Sequence, residues 1–386
     1  MTDLIRIGAS FTLIVVLLRL RWNLGAVMLL GAIFLGSLYL IGPVRQAQVI
    51  LASSIDMVTV NLVTGLVLIM VMENIIRKKG VLKRLMEAVV NVARDRRIAM
   101  AVLPGVIGLL PSAGGAAFSA PMVQEAAADV EMKPEHKAFI NYWFRHIWEY
   151  ISPLYPGVVL AAAVTKTPIN KLLLSQLPLP LAVIGVGAFL GFRGMKGQAV
   201  AGKRDKNEIK ALFVTLLPIT ISIVLVVVFK IPLAPAMASI VIAMFAFFRY
   251  STKEVLTTLR EGISMNVMLM VVGIMVFKGM LDATGAIEAL PVFFILPFIV
   301  GLLTGLTVAF VGTTFPIITA MMGSSPDLGV ITFAFASGFA GVMLSPTHLC
   351  LLLTIRYFNA DMAGTYRLMY LPVFLVFTAG LLRLWV

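Results

Sequence analysis

Three ionisable side chains lie close together in an apolar stretch, in the segment NYWFRHIWEY, which contains Arg145, His146 and Glu149. Charged groups in a membrane segment are costly, and by default they mark a substrate pathway or a proton relay. Arg145 and Glu149 are four residues apart and can pair on one helix face. Three roles stay open. The first is structural, either a buried ion pair or Arg145 reaching the cytoplasmic interface. The others are proton coupling by Glu149 with His146, and direct contact of Arg145 with a bound anion.

A Ser-Pro pair interrupts each of two long apolar stretches, YISPLYPG (150–157) and MLSPTHLC (343–350). Proline removes a backbone hydrogen bond and clashes with the preceding turn, so we predict a broken helix at Ser152 and at Ser345. The freed carbonyls and amides can hold ions or a polar solute. His348 follows the second break and can donate, accept or titrate, although a lone histidine on an apolar helix is more often a packing residue.

Two runs of small residues predict two further interruptions. In PGVIGLLPSAGGAAFSAPMV (104–123), proline and paired glycines stop a helix at about half a membrane span, which favours a re-entrant hairpin with its tip at 112–117. The alternative is a kinked structural helix. The run VGTTFP (311–316) predicts the matching tip in the second half. The predicted substrate-binding residues are Ser112, Ala113, Gly114, Gly115, Ser152, Gly312, Thr313, Thr314, Ser345, Thr347 and His348.

The composition places these residues in a polytopic membrane protein. The chain of 386 residues is 60% hydrophobic with a mean hydropathy of +1.01, whereas soluble domains are under half apolar. Its net charge of +13 is spread over the loops between apolar stretches, which argues against nucleic-acid binding. The single cysteine, Cys350, excludes an internal disulfide. Basic residues after the first apolar segment favour an uncleaved span over a signal peptide.

We therefore expect an all-α fold with two inverted repeats, each of five transmembrane spans and a re-entrant hairpin, with the fourth span broken. The first repeat covers 1–193, a cytoplasmic linker 194–207 and the second repeat 208–386. The segment 78–97 is amphipathic and is expected on the membrane surface. The predicted spans are 4–20, 24–42, 56–76, 135–165, 172–192, 209–229, 232–248, 263–281, 329–358 and 366–385, with a broken pair at 291–322.

Charge and local similarity both favour inversion of the two halves. An odd number of crossings reverses the second half, and this topology puts most lysines and arginines in the cytoplasm and both termini outside. Short strings also match in the same order, although apolar strings can match by chance. The matched positions are Asn61 with Asn266, Gly108 with Gly305, Gly115 with Gly312, and Ser152-Pro153 with Ser345-Pro346.

The span order together with SAGGAAFSAP, VGTTFP and SPTHLCLLLT resembles the ion transporter superfamily, and within it the integral membrane family called domain of unknown function 401. The resemblance implies that the protein is an elevator carrier and a homodimer. Members of this superfamily mostly carry organic anions. Carboxylate carriers of that superfamily have Ser-Asn-Thr at both tips. Here the corresponding positions, 112–114 and 312–314, lack the asparagine, which argues against a dicarboxylate.

Other classes of function have less support in the sequence. The three histidines lack the spacing of a zinc site on one helix, and no nucleophile elbow or phosphate loop is found. We therefore expect no enzymatic activity, no catalytic residue, no metal site and no cofactor. A channel needs a continuous polar lining, whereas the polar residues here concentrate at the breaks, and a membrane scaffold does not require paired broken helices.

The sequence thus predicts a secondary active transporter of the inner membrane for a small polar, anionic solute, coupled to a sodium or proton gradient. The predicted coupling residues are Arg145, His146, Glu149, Asn61 and Asn266; bridging between helices is the alternative role for the two asparagines. Na⁺ is the one candidate coupling ion besides the proton. The alternative function is a cation/proton antiporter centred on Glu149 and His146.

Overall fold

The fold is helical throughout the described part of the chain. The computed structural model describes residues 2–93, 95–111, 115–128, 130–195, 206–285, 295–322 and 327–385, and these residues form helices without a β-strand. Most of the predicted linker, 196–205, lies outside the described residues. The expectation of an all-α protein is confirmed for the described ranges.

The described residues of the first half form eleven α-helices, one of them followed by a short 3-10 helix at Ile147–Tyr150. The α-helices are α1 (Thr2–Arg19), α2 (Leu24–Leu38), α3 (Pro43–Ile55), α4 (Met57–Lys78), α5 (Val81–Val92), α6 (Arg96–Ile107), α7 (Ala116–Ala126), α8 (Pro134–Arg145), α9 (Pro156–Val164), α10 (Ile169–Gln176) and α11 (Pro178–Gly191).

The described residues of the second half form nine α-helices. They form α12 (Lys206–Val227), α13 (Leu233–Phe247), α14 (Thr252–Gly262), α15 (Met265–Thr284), α16 (Ile295–Thr304), α17 (Thr307–Met322), α18 (Leu328–Met343), α19 (Leu349–Phe358) and α20 (Met362–Leu382).

Several helices have the length and composition of membrane spans. Among the described residues, five helical segments are long and apolar enough to cross a bilayer: Met57–Lys78, Ile169–Gly191, Asn207–Val227, Met265–Thr284 and Met362–Leu382. Others, such as α2 and α13, are apolar but shorter. The chain therefore has the helices of a membrane protein.

Two helices form where the sequence predicted loops, and each has a local cause. α3 begins with proline at its first position, a favourable place, and buries Gln46 and Val49. α14 begins with a capping box, in which the Ser251 hydroxyl accepts from the Glu254 amide and the Glu254 carboxylate accepts from the Ser251 amide. Both helices are short, and each connects two apolar helices.

The predicted amphipathic segment is a helix, α5. Its buried face carries Leu85, Ala88 and Val89, while Arg84 on the other face pairs with Glu208 at 2.9 Å. This contact ties α5 to the start of α12. Placement of α5 on the membrane surface stays a prediction.

Packing between the halves comes in matching pairs of helices. α2 packs on α15 and α4 packs on α13; α3 packs on α15 and α14 on α4. The α2–α15 contact is close because Gly25 and Gly273 face each other, and a Cβ on either glycine would overlap backbone of the other helix. α7 likewise packs on α19, and α9 packs on α17. Each half therefore completes the packing of the other.

Candidate functional site

The first broken helix has the interruption that its Ser-Pro pair predicted. α8 ends at Arg145, a 3-10 turn follows, and α9 begins only at Pro156. Ser152 is buried, and its hydroxyl accepts a hydrogen bond from the Leu154 amide at 3.3 Å. The side chain thus satisfies a backbone group that the broken helix leaves without a helical partner.

The second broken helix has the same local geometry. α18 ends at Met343 and α19 begins at Leu349, with His348 as the residue before the helix. Ser345 is fully buried and accepts from the Thr347 amide, again at 3.3 Å. The two hydroxyls of Ser345 and Thr347 also lie 2.9 Å apart. Both Ser-Pro predictions are therefore confirmed as breaks.

The first predicted hairpin is a pair of short helices packed together. α6 has 12 residues and α7 has 11, so each is about 18 Å long at most and too short for a hydrocarbon core of about 30 Å. Gly115 lies at the start of α7. The predicted tip residues Ser112, Ala113 and Gly114 lie outside the described residues.

The second hairpin turns at a different position from the one predicted. α16 ends at Thr304 and α17 begins at Thr307, so the turn is Gly305-Leu306. Gly305 has φ +65°, a left-handed conformation that glycine adopts readily. The prediction that VGTTFP unwinds is wrong.

The three residues of that wrongly placed tip lie inside α17 and are buried. The hydroxyl of Thr313 donates to the Ala309 carbonyl at 2.7 Å, and that of Thr314 donates to the Phe310 carbonyl at 2.7 Å. Gly312 packs against the side chain of Ile274 on α15. The helix continues here because its hydroxyls bond to its own carbonyls and its surface is closely packed.

The four interruptions contact one another in pairs within each half. The Tyr155 hydroxyl, next to the first break, donates to the Gly108 carbonyl at 2.5 Å and to the Leu110 carbonyl at 3.3 Å in the first hairpin turn. The Thr347 hydroxyl, in the second break, donates to the Leu303 carbonyl at 3.4 Å. Each broken helix therefore lies against the hairpin of its own half.

Two further contacts join the halves. The Thr307 hydroxyl at the start of α17 donates to the Glu149 carboxylate at 3.1 Å. Nε2 of His146 lies 3.2 Å from Nε2 of His348, although the two residues are 202 positions apart. Breaks and hairpins of both halves therefore meet at one place.

Glycine allows the close approach of backbone at both hairpin turns. A Cβ on Gly108 would overlap the carbonyl of Arg145, and a Cβ on Gly305 would lie 2.9 Å from the backbone of His348. These glycines are the matched pair of the sequence analysis. Each brings a turn against the broken helix beside it.

The ionisable residues at this meeting point are buried. Arg145 and His146 are 2% and 1% exposed, and Glu149 is 8% exposed. Nε2 of His146 lies 3.6 Å from Glu149 Oε1, and Arg145 is hydrogen-bonded to the Tyr155 side chain. The expected helical i, i+4 register between Arg145 and Glu149 is absent because α8 ends at Arg145.

Two side chains that are not among the predicted site residues, Asn141 and Thr307, also form hydrogen bonds in this region. Asn141 on α8 donates to the Thr354 hydroxyl at 2.9 Å and to the Ala116 carbonyl at 3.2 Å. It thereby joins α8 to α19 and to the first residue of α7. The signal for Asn141 was present, since it is an uncharged polar residue in an apolar span. Thr307 had no such signal, because its partner Glu149 lies in the other half.

Comparison with known families gives a match along almost the whole chain. The family model described as Protein of unknown function (DUF401) matches residues 5–386. The chain belongs to the DUF401 family. A search of curated proteins finds no match. The recognition of DUF401 from the sequence is therefore confirmed.

In this DUF401 protein the two predicted coupling asparagines connect helices. Asn61 on α4 accepts from the Ala234 amide at the start of α13, at 3.0 Å. Asn266 on α15 accepts from the Asn23 side chain at the start of α2, at 3.1 Å. The contacts are counterparts across the halves. They agree with the bridging role that the sequence analysis left open.

Proposed function

We propose that the protein is a secondary active transporter, in the inner membrane, of a small polar, anionic solute, coupled to a sodium or proton gradient. The solute binds where the two hairpin turns and the two broken helices meet. It crosses the membrane without chemical conversion. The observation that carries the proposal is this convergence of interrupted backbone in a chain of apolar helices.

The chemistry of the interruptions supports binding of a polar solute. Helix starts at α7, α9, α17 and α19 present amide groups that attract anions, while helix ends present carbonyls that favour cations. Hydroxyls of Thr307 and Thr347 lie at the same place, as do the buried groups of Arg145, His146 and Glu149. One site can therefore hold an anion and a coupling cation side by side.

The repeat supports the proposed mode of movement. Gly108 and Gly305 both lie in hairpin turns, and both Ser-Pro pairs lie in breaks, as expected of two inverted repeats. In the elevator mechanism that the ion transporter superfamily implies, α6–α9 and α16–α19 carry the solute. The scaffold is then α1–α4 with α12–α15, whose bridging asparagines hold the halves together. By the same resemblance the protein is a homodimer, and the distribution of its lysines and arginines puts both termini outside.

A cation/proton antiporter is the second candidate function. It is favoured by the buried contact of His146 with Glu149 and His348, since titratable groups in a membrane interior are typical of ion pathways. In this reading the transported solute is itself an ion. The same site serves both functions.

Proteoliposomes distinguish these functions. The purified protein is reconstituted, and uptake of a panel of labelled anions is followed under a sodium gradient alone and a pH gradient alone, with internal pH recorded. Anion uptake driven by one gradient supports the first proposal. Electroneutral sodium/proton exchange without any organic anion supports the antiporter, and no gradient-driven flux in either assay contradicts both.

A further inference from the structure

Three residues with metal-binding side chains meet beside the broken helices. The ligand atoms of His146, His348 and Cys350 all lie within 4.8 Å of one another. The residues are 1%, 7% and 7% exposed. Two buried imidazoles and one buried thiol form a donor set that soft and borderline cations prefer.

The hydrogen bonds of His146 determine which of its nitrogens is available. Nδ1 lies 2.6 Å from the Tyr142 carbonyl, which can only accept, so Nδ1 carries the proton. In the neutral ring, Nε2 is then unprotonated, and its lone pair is directed at His348. A backbone carbonyl that fixes the tautomer in this way is the usual outer partner of a metal-binding histidine.

His348 is less well satisfied than His146. In the contact between the rings, at 3.2 Å, its Nε2 can donate a proton to His146, whereas binding of an ion through Nε2 requires that the neutral ring carries its proton on Nδ1. Its Nδ1 is buried and forms no hydrogen bond of good geometry within the described ranges of the chain, and the Val342 backbone is the group that interacts with this ring. When Nδ1 carries the proton, Nε2 of His348 is free to bind an ion together with Nε2 of His146.

The distance between the rings also suits a metal ion. Two nitrogens bound to one tetrahedral zinc ion at about 2.0–2.1 Å are about 3.3 Å apart, and the observed Nε2–Nε2 separation is 3.2 Å. Glu149 Oε1, 3.6 Å from His146 Nε2, is close enough to supply a fourth ligand after a small shift. One thiolate and one carboxylate balance a divalent charge, and the positive charge of Arg145 also acts on His146.

We propose that His146, His348 and Cys350 form a binding site for a thiophilic divalent cation, with Zn²⁺ as its representative. Binding releases the thiol proton of Cys350 to solvent and leaves both imidazoles neutral, so one proton is released per ion. Because His348 and Cys350 come from the second half and His146 from the first, the ion links the two broken helices. Pro346 and Thr347, next to His348, are exposed.

Cobalt titration tests the proposal, because Cys350 is the only cysteine in the chain. The protein, purified in detergent with a tag that lacks histidine and stripped with EDTA, is titrated with Co²⁺. We expect one Co²⁺ per chain, a near-ultraviolet thiolate-to-cobalt absorption band, and loss of that band when Zn²⁺ is added. Cys350→Ser should abolish the band. His348→Gln should weaken binding by more than the about 10–100-fold that loss of an outer partner costs.

His136→Gln is the matched control. His136 is the one histidine of the chain outside the proposed metal site, and its Nε2 contacts the Gly191 carbonyl. It should bind Co²⁺ like the wild type. Gel filtration and circular dichroism establish that each variant is folded; Cys350→Ala replaces Cys350→Ser if that variant is not. The proposal is overturned if the wild type lacks the absorption band, or if His348→Gln binds Co²⁺ as tightly as the wild type does. Gradient-driven uptake is measured on the same samples, so failure of metal binding leaves the transport proposal untouched.

Discussion

The hydroxyl of Thr307 donates a hydrogen bond of 3.1 Å to the carboxylate of Glu149. Thr307 begins the second helix of one hairpin, and Glu149 lies in the broken helix of the other half. Gly157 also lies against Thr307, so that a Cβ on this glycine would overlap the threonine methyl group. A single contact thus ties an ionisable group in one half to a hairpin turn in the other.

Thr307→Val keeps the shape of this side chain and removes its donor. A hydrogen bond to a charged group contributes about 1.5–3 kcal/mol, so solute binding or uptake should fall by about tenfold or more. Thr319→Val is the matched control, because Thr319 lies on the same helix and its hydroxyl donates only within that helix, to Phe315. Uptake assays with equal activity for the two variants would remove the Thr307–Glu149 contact from the mechanism.

Glu149→Gln should flatten the pH dependence of transport. The amide keeps the shape of the carboxyl and still accepts from Thr307, but it cannot take up a proton. Proteoliposome uptake is measured across pH 5–9 for wild type, Glu149→Gln and Glu87→Gln, where Glu87 lies on the solvent-facing side of α5. A pH profile identical to that of the wild type would assign Glu149 a structural role.

Alanine substitutions at two glycines with the same φ can distinguish the effect of lost packing at the site from the effect of backbone strain. Gly305 and Gly285 both have φ +65°, but of the two only Gly305 faces the backbone of His348; no atom of the described residues lies within 4 Å of a Cβ on Gly285. Alanine at either position costs about 1–2 kcal/mol of conformational strain. Gly305→Ala should in addition separate the turn from the break and abolish solute binding. Equal binding by Gly305→Ala and Gly285→Ala would contradict the proposed site.

A pH effect on stability is expected outside the membrane-spanning helices, at α14. Hydrogen bonds from Lys78 and Asn74 stabilise the charged form of Glu261 and hold its pKa below the ordinary value. A lowered pKa means that the contribution is complete near neutral pH and is lost as pH falls below about 4. Thermal unfolding in detergent should show a smaller loss in Glu261→Gln than in the wild type over that range. Parallel pH profiles would refute this contribution.

The broken helices could be predicted from the sequence because their cause is local. A proline inside a helix lacks the donor and displaces the preceding turn wherever the chain is placed. Ser152 and Ser345 precede such prolines, and both breaks are found where expected. The match of Gly108 with Gly305 indicated only similarity between the halves, and the hairpin tips were predicted at later residues.

The second hairpin tip could not be placed from local signals. The run of Gly312, Thr313 and Thr314 is composed of poor helix formers, yet it is helical. Phe310 and Phe315 on the same helix pack against Phe335 of α18, and the threonine hydroxyls bond to carbonyls one turn earlier. Tertiary packing overrides weak propensity in such cases.

By itself the sequence determined that this chain is helical and apolar, and that helices break at its two Ser-Pro pairs, because hydropathy and proline act within a few residues. Only the tertiary structure decided which residues meet. His146 and His348 are 202 positions apart, and their spacing along the chain gave no sign of a common site. Their contact exists because each half buries its broken helix against the other, and burial depends on the packing of whole helices.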